Sequence, residues 1–421
     1  MKIIKDIRSS HSLLVATALV MVLAVGACKE EDEINVGPPT IERVRSTDPS
    51  TADSAFTSAT LGSTIAILGN NLLGTQQVYL NDYPLGINTA YVTNTSVIVT
   101  VGDSVPTVAT NPGVPNTLRL VNKSGEAIME FQTLPPAPQV TQVKNQYVKP
   151  GDELTLFGKY FYFIDTVYFP GEDVYVTSGF ETNAAGSLLK VTVPENLDFS
   201  EGQSISVVSK SGGSATNRNT QIYANQGMVA DFDTNGALEW PWNWGWGISG
   251  DMIQPSQPGI SSLEGSFAGM NQAFPSGYGW NNDKVINLAN WGGVQIFPEG
   301  EGYEPNTPAA NFDIRFEVAI NTTESIAGLE MQIWFPDSQG NELSYNIPMS
   351  EFVKATDGSW YTLSANITRL TNGSTRLNTY GDFLKGDGGV KQLRLLVVNT
   401  TSNDIQAVVG VDNVRVIRAV N

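Results

Sequence analysis

Cysteine and histidine are almost missing from this 421-residue chain: each occurs once, at Cys28 and His11. Both fall in or beside an N-terminal leader, so the chain beyond it carries no imidazole and no internal thiol. That excludes a Ser-His-Asp or Cys-His nucleophile system and any transition metal held by histidine or thiolate. A pair of carboxylates working as acid and nucleophile stays chemically available. The missing disulfides exclude little, because exported bacterial domains often have none. Charge is also sparse: charged residues make up 16%, acids outnumber bases 42 to 24, and the net charge is −18. Such a chain repels phosphate backbones, which removes nucleic acid as a partner, and the same repulsion disfavours anionic polysaccharides. No long stretch repeats apolar residues at helical spacing, whereas glycine reaches 40 residues. The length accommodates two or three domains, and the pattern favours short strands joined by turns.

Tryptophan is missing from the first 239 residues, and all eight lie between Trp240 and Trp360. One module must therefore use these rings, either as core or as flat apolar surface for a ligand with flat apolar faces. Sugars are such ligands, since their axial C–H groups stack on an aromatic ring while equatorial hydroxyls bond outward. The densest run places indoles at 240, 242, 244 and 246. A strand would put all four on one face, but Pro241 and two glycines argue for a loop. Trp242, Trp244 and Trp246 are candidate ligand contacts, with at least one ring of the run packing inward. Trp280 and Trp291 sit among glycine and asparagine, in loops of the kind that project side chains. They are backed as stacking residues, with Tyr278 and Tyr303 in second rank. Acidic bias persists here, with 10 Lys+Arg against 21 Asp+Glu from position 229 onward, so a neutral ligand fits best.

Residues 1–27 read as a secretory signal: Lys2, Lys5 and Arg8, then an apolar run from Leu13 to Val25 that is short for a membrane span. Val25-Gly-Ala-Cys28 resembles a lipobox, which implies cleavage before Cys28 and acylation of that cysteine. Lys29-Glu-Glu-Asp-Glu33 opens an acidic tether over 28–38, and resembles the export signal that sends Bacteroidota lipoproteins to the outer face of the outer membrane.

From Pro39 to about Ala224 the chain repeats itself. Gly62-Ser-Thr-Ile-Ala-Ile-Leu-Gly69 matches Gly151-Asp-Glu-Leu-Thr-Leu-Phe-Gly158, and Val78-Tyr79 matches Val167-Tyr168, at a spacing of about 89 residues. Each copy opens with Pro-x-[Ile/Val]-x-x-Val, at Pro39 and Pro138, and ends in a Lys-Ser-Gly turn. This pattern resembles the IPT/TIG immunoglobulin-like domain, which implies two β-sandwiches, over 39–135 and 136–226, joined at Pro135-Pro-Ala-Pro138. Tyr160-Phe-Tyr-Phe163 is expected to cap the second sandwich.

Residues 227–421 form the tryptophan module. Period-two alternation divides its strands into faces. Along 311–320, Phe312, Ile314, Phe316, Val318 and Ile320 point one way, and Asp313, Arg315 and Glu317 the other. Along 329–335, Leu329, Met331, Ile333 and Phe335 form the core side, leaving Glu330, Gln332 and Trp334 opposite. Trp334 in phase with polar residues predicts an aromatic platform ringed by Arg315, Glu317, Glu330 and Gln332. Trp360 is expected to be structural. The closing Val-Asp-Asn-Val-Arg-Val strand resembles the last strand of carbohydrate-binding jelly rolls, where the aspartate sometimes holds calcium with early acids. By that resemblance Asp412, Asp231 and Asp233 are candidate calcium ligands, the one cofactor considered.

The order of these parts resembles the surface glycan-binding proteins of Bacteroidota polysaccharide-utilisation loci, in the SusE/SusF position and ending in a xyloglucan-binding-like domain. The fold implied is all-β: two immunoglobulin-like (IPT/TIG) sandwiches, then a larger jelly-roll-like β-sandwich. The function implied is non-catalytic capture of a neutral polysaccharide, such as laminarin or xyloglucan, for a SusC/SusD-like transporter at the outer membrane. Two alternatives stay open: a glycoside hydrolase or lyase using Glu317 and Glu330, and a surface adhesin that binds protein.

Overall fold

The computed structural model describes residues 37–222, 226–234, 236–239, 247–386 and 389–419. The leader, Cys28, most of the acidic tether and the tryptophans at 240, 242, 244 and 246 lie outside the described residues. The chain is almost entirely β, with only short helical turns such as Met349–Phe352 and Tyr380–Lys385. It divides into two compact units at Pro135/Pro136.

The first unit contains β1 (Thr40–Ser46), β2 (Thr64–Asn70), β3 (Thr75–Leu80), β4 (Tyr83–Leu85), β5 (Ser96–Thr100), β6 (Thr117–Asn122) and β7 (Gly125–Glu130). They make two sheets, β1-β2-β5 and β4-β3-β6-β7. Alternate residues such as Ile65 and Ile67, Val78 and Leu80, Leu118 and Leu120 fill the core between them.

The second unit begins with the repeat of this sandwich: β8 (Gln139–Val143), β9 (Glu153–Lys159), β10 (Ile164–Tyr168), β11 (Tyr175–Val176), β12 (Leu188–Thr192) and β13 (Ser206–Ser209). Its sheets run β8-β9-β12 and β11-β10-β13, each with a two-residue strand added at one edge. Of the aromatic run, Phe161 is buried in this core and Phe163 is exposed. The repeated glycines have one steric cause. A Cβ on Gly69 would lie 1.8 Å from the Thr40 carbonyl oxygen, and one on Gly158 would lie 2.0 Å from that of Gln139. Each faces a register shift in the opening strand, at Ile41/Arg43 and Val140/Gln142, where the backbones come closest.

The rest of the second unit is the larger sandwich: β14 (Met228–Ala230), β15 (Phe267–Phe274), β16 (Val285–Asn290), β17 (Phe312–Asn321), β18 (Leu329–Pro336), β19 (Glu342–Pro348), β20 (Asp357–Asn366), β21 (Lys391–Asn399) and β22 (Ile405–Arg418). One sheet runs β15-β22-β17-β20, with β14 also paired to β22; the other runs β16-β21-β18-β19. The inward residues of β17 and β18 meet in one core, as their alternation requires. Burying each such side chain contributes roughly 1.5–3 kcal/mol. Trp360 is structural: it is nearly buried, stands edge-on to Phe267 at 5.2 Å, and its indole N–H donates to the Ser261 carbonyl at 2.7 Å.

The outward side of β17 departs from expectation. Asp313, Arg315 and Glu317 are fully buried, because the second immunoglobulin-like domain packs over them. Arg415 grips Glu317 through two bonds of 2.6 and 2.9 Å. Arg315 donates to Asp313 (2.9 Å) and reaches across the joint to Gln146 and Gln221, both at 2.9 Å. Arg218 completes the cluster on Asp313 at 2.9 Å. Burial lowers the Arg315 guanidinium to about 10 against the attraction of Asp313. The joint is therefore a buried ionic network whose pairs lie within the large sandwich except for Arg218–Asp313, which crosses between the domains together with the bonds from Arg315 to Gln146 and Gln221.

Candidate functional site

The second sheet of the large sandwich, β16-β21-β18-β19, carries the other outward face. In register across it stand Asn287, Arg394, Trp334 and Ser344. Glu330, Gln332 and Trp334 are half-buried at alternate positions of β18, in the phase the sequence predicts. Gln332 donates its amide to Asn346 at 2.8 Å, and Asn346 donates to Glu330 at 2.7 Å, so these groups form one polar chain along the sheet. Trp334 packs against Val285, Leu396 and Val398, and the Arg394 guanidinium lies 4.0 Å from its ring centroid. One ring face is thus occupied by a cation, and Trp334 is not the bare platform its phase suggests. Burial lowers the pKa of Arg394.

Two exposed indoles bracket β16 in the chain. Trp280 is 56% exposed and Trp291 40% exposed, on either side of β16. Six residues of strand at about 3.3 Å each make roughly 20 Å between the ends of β16. The loop that carries Trp280 is tied down at many points. Gly277 and Tyr278 donate backbone N–H groups to Thr401 and Asn399, both at 2.9 Å, and Ser276 donates to the Asp404 carboxylate at 2.9 Å. Asn281 bonds Gln272 at 2.8 Å, and the buried Lys284 ammonium donates to the Gly279 carbonyl. Burial lowers the Lys284 pKa, as expected of a cation enclosed beneath a loop. Trp280 itself donates to Asn282 at 3.3 Å, and Tyr278 beside it is exposed, with a backbone φ of +63°. At the other end, Glu239 accepts from the backbone N–H groups of Trp291 (3.1 Å) and Gly292 (3.4 Å). Both rings are therefore held on fixed backbone, which lowers the entropy lost when a ligand stacks on them.

Several candidates fall elsewhere. Arg315 and Glu317 belong to the opposite sheet and to the domain joint, with no solvent exposure. Glu317 and Glu330 consequently lie on opposite faces of the sandwich and make no carboxylate pair. Tyr303 is half-buried: its ring stacks on Phe312 at 5.8 Å, and its hydroxyl donates to Val416 at 3.0 Å. Burial pushes its pKa up to about 12, and it serves the core. Asp231 and Asp233 accept backbone N–H groups of their own loop and of Ser266. Asp412 is buried beside Glu317, and burial pushes its carboxyl up to about 9. Among the described residues no group of three or more His, Cys, Asp or Glu is placed to hold a metal ion; Asp231 and Asp233 act on Asp412 through their charge, which raises its carboxyl further. Trp242, Trp244 and Trp246 lie outside the described residues; the residues flanking them, Glu239 and Ile248, both donate N–H groups to β16 carbonyls, at 3.0 and 2.8 Å. Sequence reading missed Arg394, Asn287, Asn346, Lys284 and Glu239. For Arg394 a signal existed, since Gln392, Arg394, Leu396 and Val398 alternate on the same outward side.

Comparison with known proteins bears on the same region. Residues 222–418 match the family model described as the surface glycan-binding protein B xyloglucan binding domain. A Bacteroides ovatus IPT/TIG domain-containing protein is 34% identical over 208 residues, which cover 47% of this chain and 42% of that protein. The chain thus spans less than half the length of that relative. The crystal structure of the surface glycan-binding protein PbSGBP-B from Prevotella bryantii is similar in fold, with a TM-score of 0.60 and 21% identity, covering 91% of this chain and 99% of that one.

Proposed function

We propose that this protein, whose residues 222–418 match the surface glycan-binding protein B xyloglucan binding domain model, is a non-catalytic, cell-surface glycan-binding lipoprotein. It captures a neutral polysaccharide, a β-glucan such as laminarin or xyloglucan, and passes it to a SusC/SusD-like transporter. Acylation at Cys28 anchors it to the outer membrane, and the two immunoglobulin-like domains carry the binding module away from the lipid.

One observation supports the reading: two exposed indoles, Trp280 and Trp291, on hydrogen-bonded loops that precede and follow β16 in the chain, a strand of the sheet whose outward side bears Asn287, Gln332, Asn346 and Ser344. Stacked rings supply roughly 0.5–1.5 kcal/mol each beyond area burial; with the apolar area they bury and the surrounding hydrogen bonds, the expected affinity for one chain is micromolar to millimolar, about 4–8 kcal/mol. Tyr278, Trp334, Glu330 and Gln332 supply the surrounding contacts. The acidic balance of the module sets the preference for uncharged chains.

Affinity electrophoresis through gels of xyloglucan, laminarin, alginate and a sulfated glycan tests it. Neutral glucans should retard the protein, and Trp280→Ala with Trp291→Ala should abolish the shift while melting stays unchanged. Retardation on the anionic glycans alone, or release of reducing sugar from any of them, would overturn the proposal.

A further inference from the structure

The duplication of the immunoglobulin-like domain supplies an internal comparison. In the first copy Tyr79 of β3 stands between Pro84 of β4 and Arg119 of β6. The Arg119 guanidinium lies 4.0 Å from the Tyr79 ring centroid and is held there by Glu126 at 3.5 Å and Asp82 at 3.6 Å. That ring face is closed. In the second copy the equivalent ring is Tyr168 of β10, standing between Tyr175 of β11 and Ser206 of β13. Serine has replaced the capping arginine, and a second tyrosine has replaced the proline. The outcome is an open aromatic pair, its ring centroids 5.7 Å apart and tilted by 55°, with Tyr168 and Tyr175 about half exposed.

Thr166 and Val208 extend this face by one register position, so it bears tyrosine rings, hydroxyls and an aliphatic patch, without a charge. Glu172 and Asp173, both exposed, occupy the turn beyond β10. An anionic ligand is repelled by that rim, whereas a neutral polyhydroxylated chain finds two ring faces and hydroxyl partners.

We infer that Tyr168 and Tyr175 form an auxiliary stacking site for the same neutral glycan, on the second immunoglobulin-like domain. The inference rests on the glycan reading of the terminal module. Both sites lie in one compact unit, so a polymer held at Trp280 and Trp291 meets the tyrosine pair at raised effective concentration. The site therefore acts on long chains.

The test uses the full chain in native gels of xyloglucan and of laminarin, read on whichever polymer retards the wild type. Ser206→Arg restores the cap found in the first copy and removes neither ring; Tyr168→Ala with Tyr175→Ala removes the rings. Each should weaken retention about 3- to 10-fold, the size of one lost stacking contact, with unchanged melting. Unchanged retention in both variants overturns the inference and leaves the terminal site standing, as would be seen if the face docks a protein instead. A wild type that no neutral glucan retards overturns the reading on which it rests.

Discussion

Removing the Glu317 carboxylate takes from the buried Arg415 guanidinium the anion that grips it through two bonds. In the intact protein both groups are fully buried, and the two bonds between them are 2.6 and 2.9 Å long. After Glu317→Ala, Arg415 keeps two neutral acceptors, the Asn413 carbonyl at 2.8 Å and the Gln146 amide oxygen at 3.4 Å. Breaking a buried pair from one side costs about 3–5 kcal/mol. Asp412 moderates this, because its carboxyl is held up by burial first and by Glu317 among the charges, and it ionises more readily once Glu317 is gone. The lower end, about 3 kcal/mol, is expected, which lowers the melting temperature of a unit this size by roughly 6–12 °C. The joint replacement Glu317→Leu with Arg415→Met should cost far less, since no charge is left behind. Calorimetry on the three proteins, with glycan retention measured alongside, decides the matter. A Glu317→Ala protein that melts like the wild type but no longer binds glycan would refute the reasoning and return Glu317 to the ligand site.

Asp412 provides a pH signature. Its carboxyl, ordinarily at 3.8, is pushed up to about 9 in the folded protein, so between these values the native state holds a proton that the unfolded chain has released. Stability is then complete below the lower value and falls as pH rises through the upper one; Asp412→Asn should flatten that slope and raise the melting temperature most at alkaline pH. Lys284→Met keeps the buried stem but deletes the bond to Gly279, so the Trp280 loop loosens; glycan retention should fall several-fold with little change in melting, and equal retention would dismiss the strut. Gly158→Ala drives a methyl group into the Gln139 carbonyl 2.0 Å away, and overpacking of this kind costs about 1–3 kcal/mol, read as a lower melting temperature with glycan retention unaltered.

Much of the fold was legible in the amino-acid order, because alternation along a strand is a local property. The inward set Phe312 to Ile320 and the outward set Glu330, Gln332 and Trp334 both take the sides their period assigns. The exposure of Trp280 and Trp291 followed equally from local means, since glycine- and asparagine-rich stretches make loops. Arg394 was legible by the same alternation, in phase with Gln392 on the outward side of β21.

Composition and period by themselves determined that the chain is β throughout, that its first half is a duplication, and that aromatic surface is concentrated in the last domain. Only the tertiary structure decided which outward face meets water. Arg315 and Glu330 look alike in sequence, each a charged residue in phase with polar neighbours. One faces Gln146, 169 positions earlier in the chain, across a domain joint, and the other faces solvent. Period two states that a side chain leaves the core of its own sandwich. Whether it then reaches water or a second domain depends on how distant segments pack, and no local pattern carries that information.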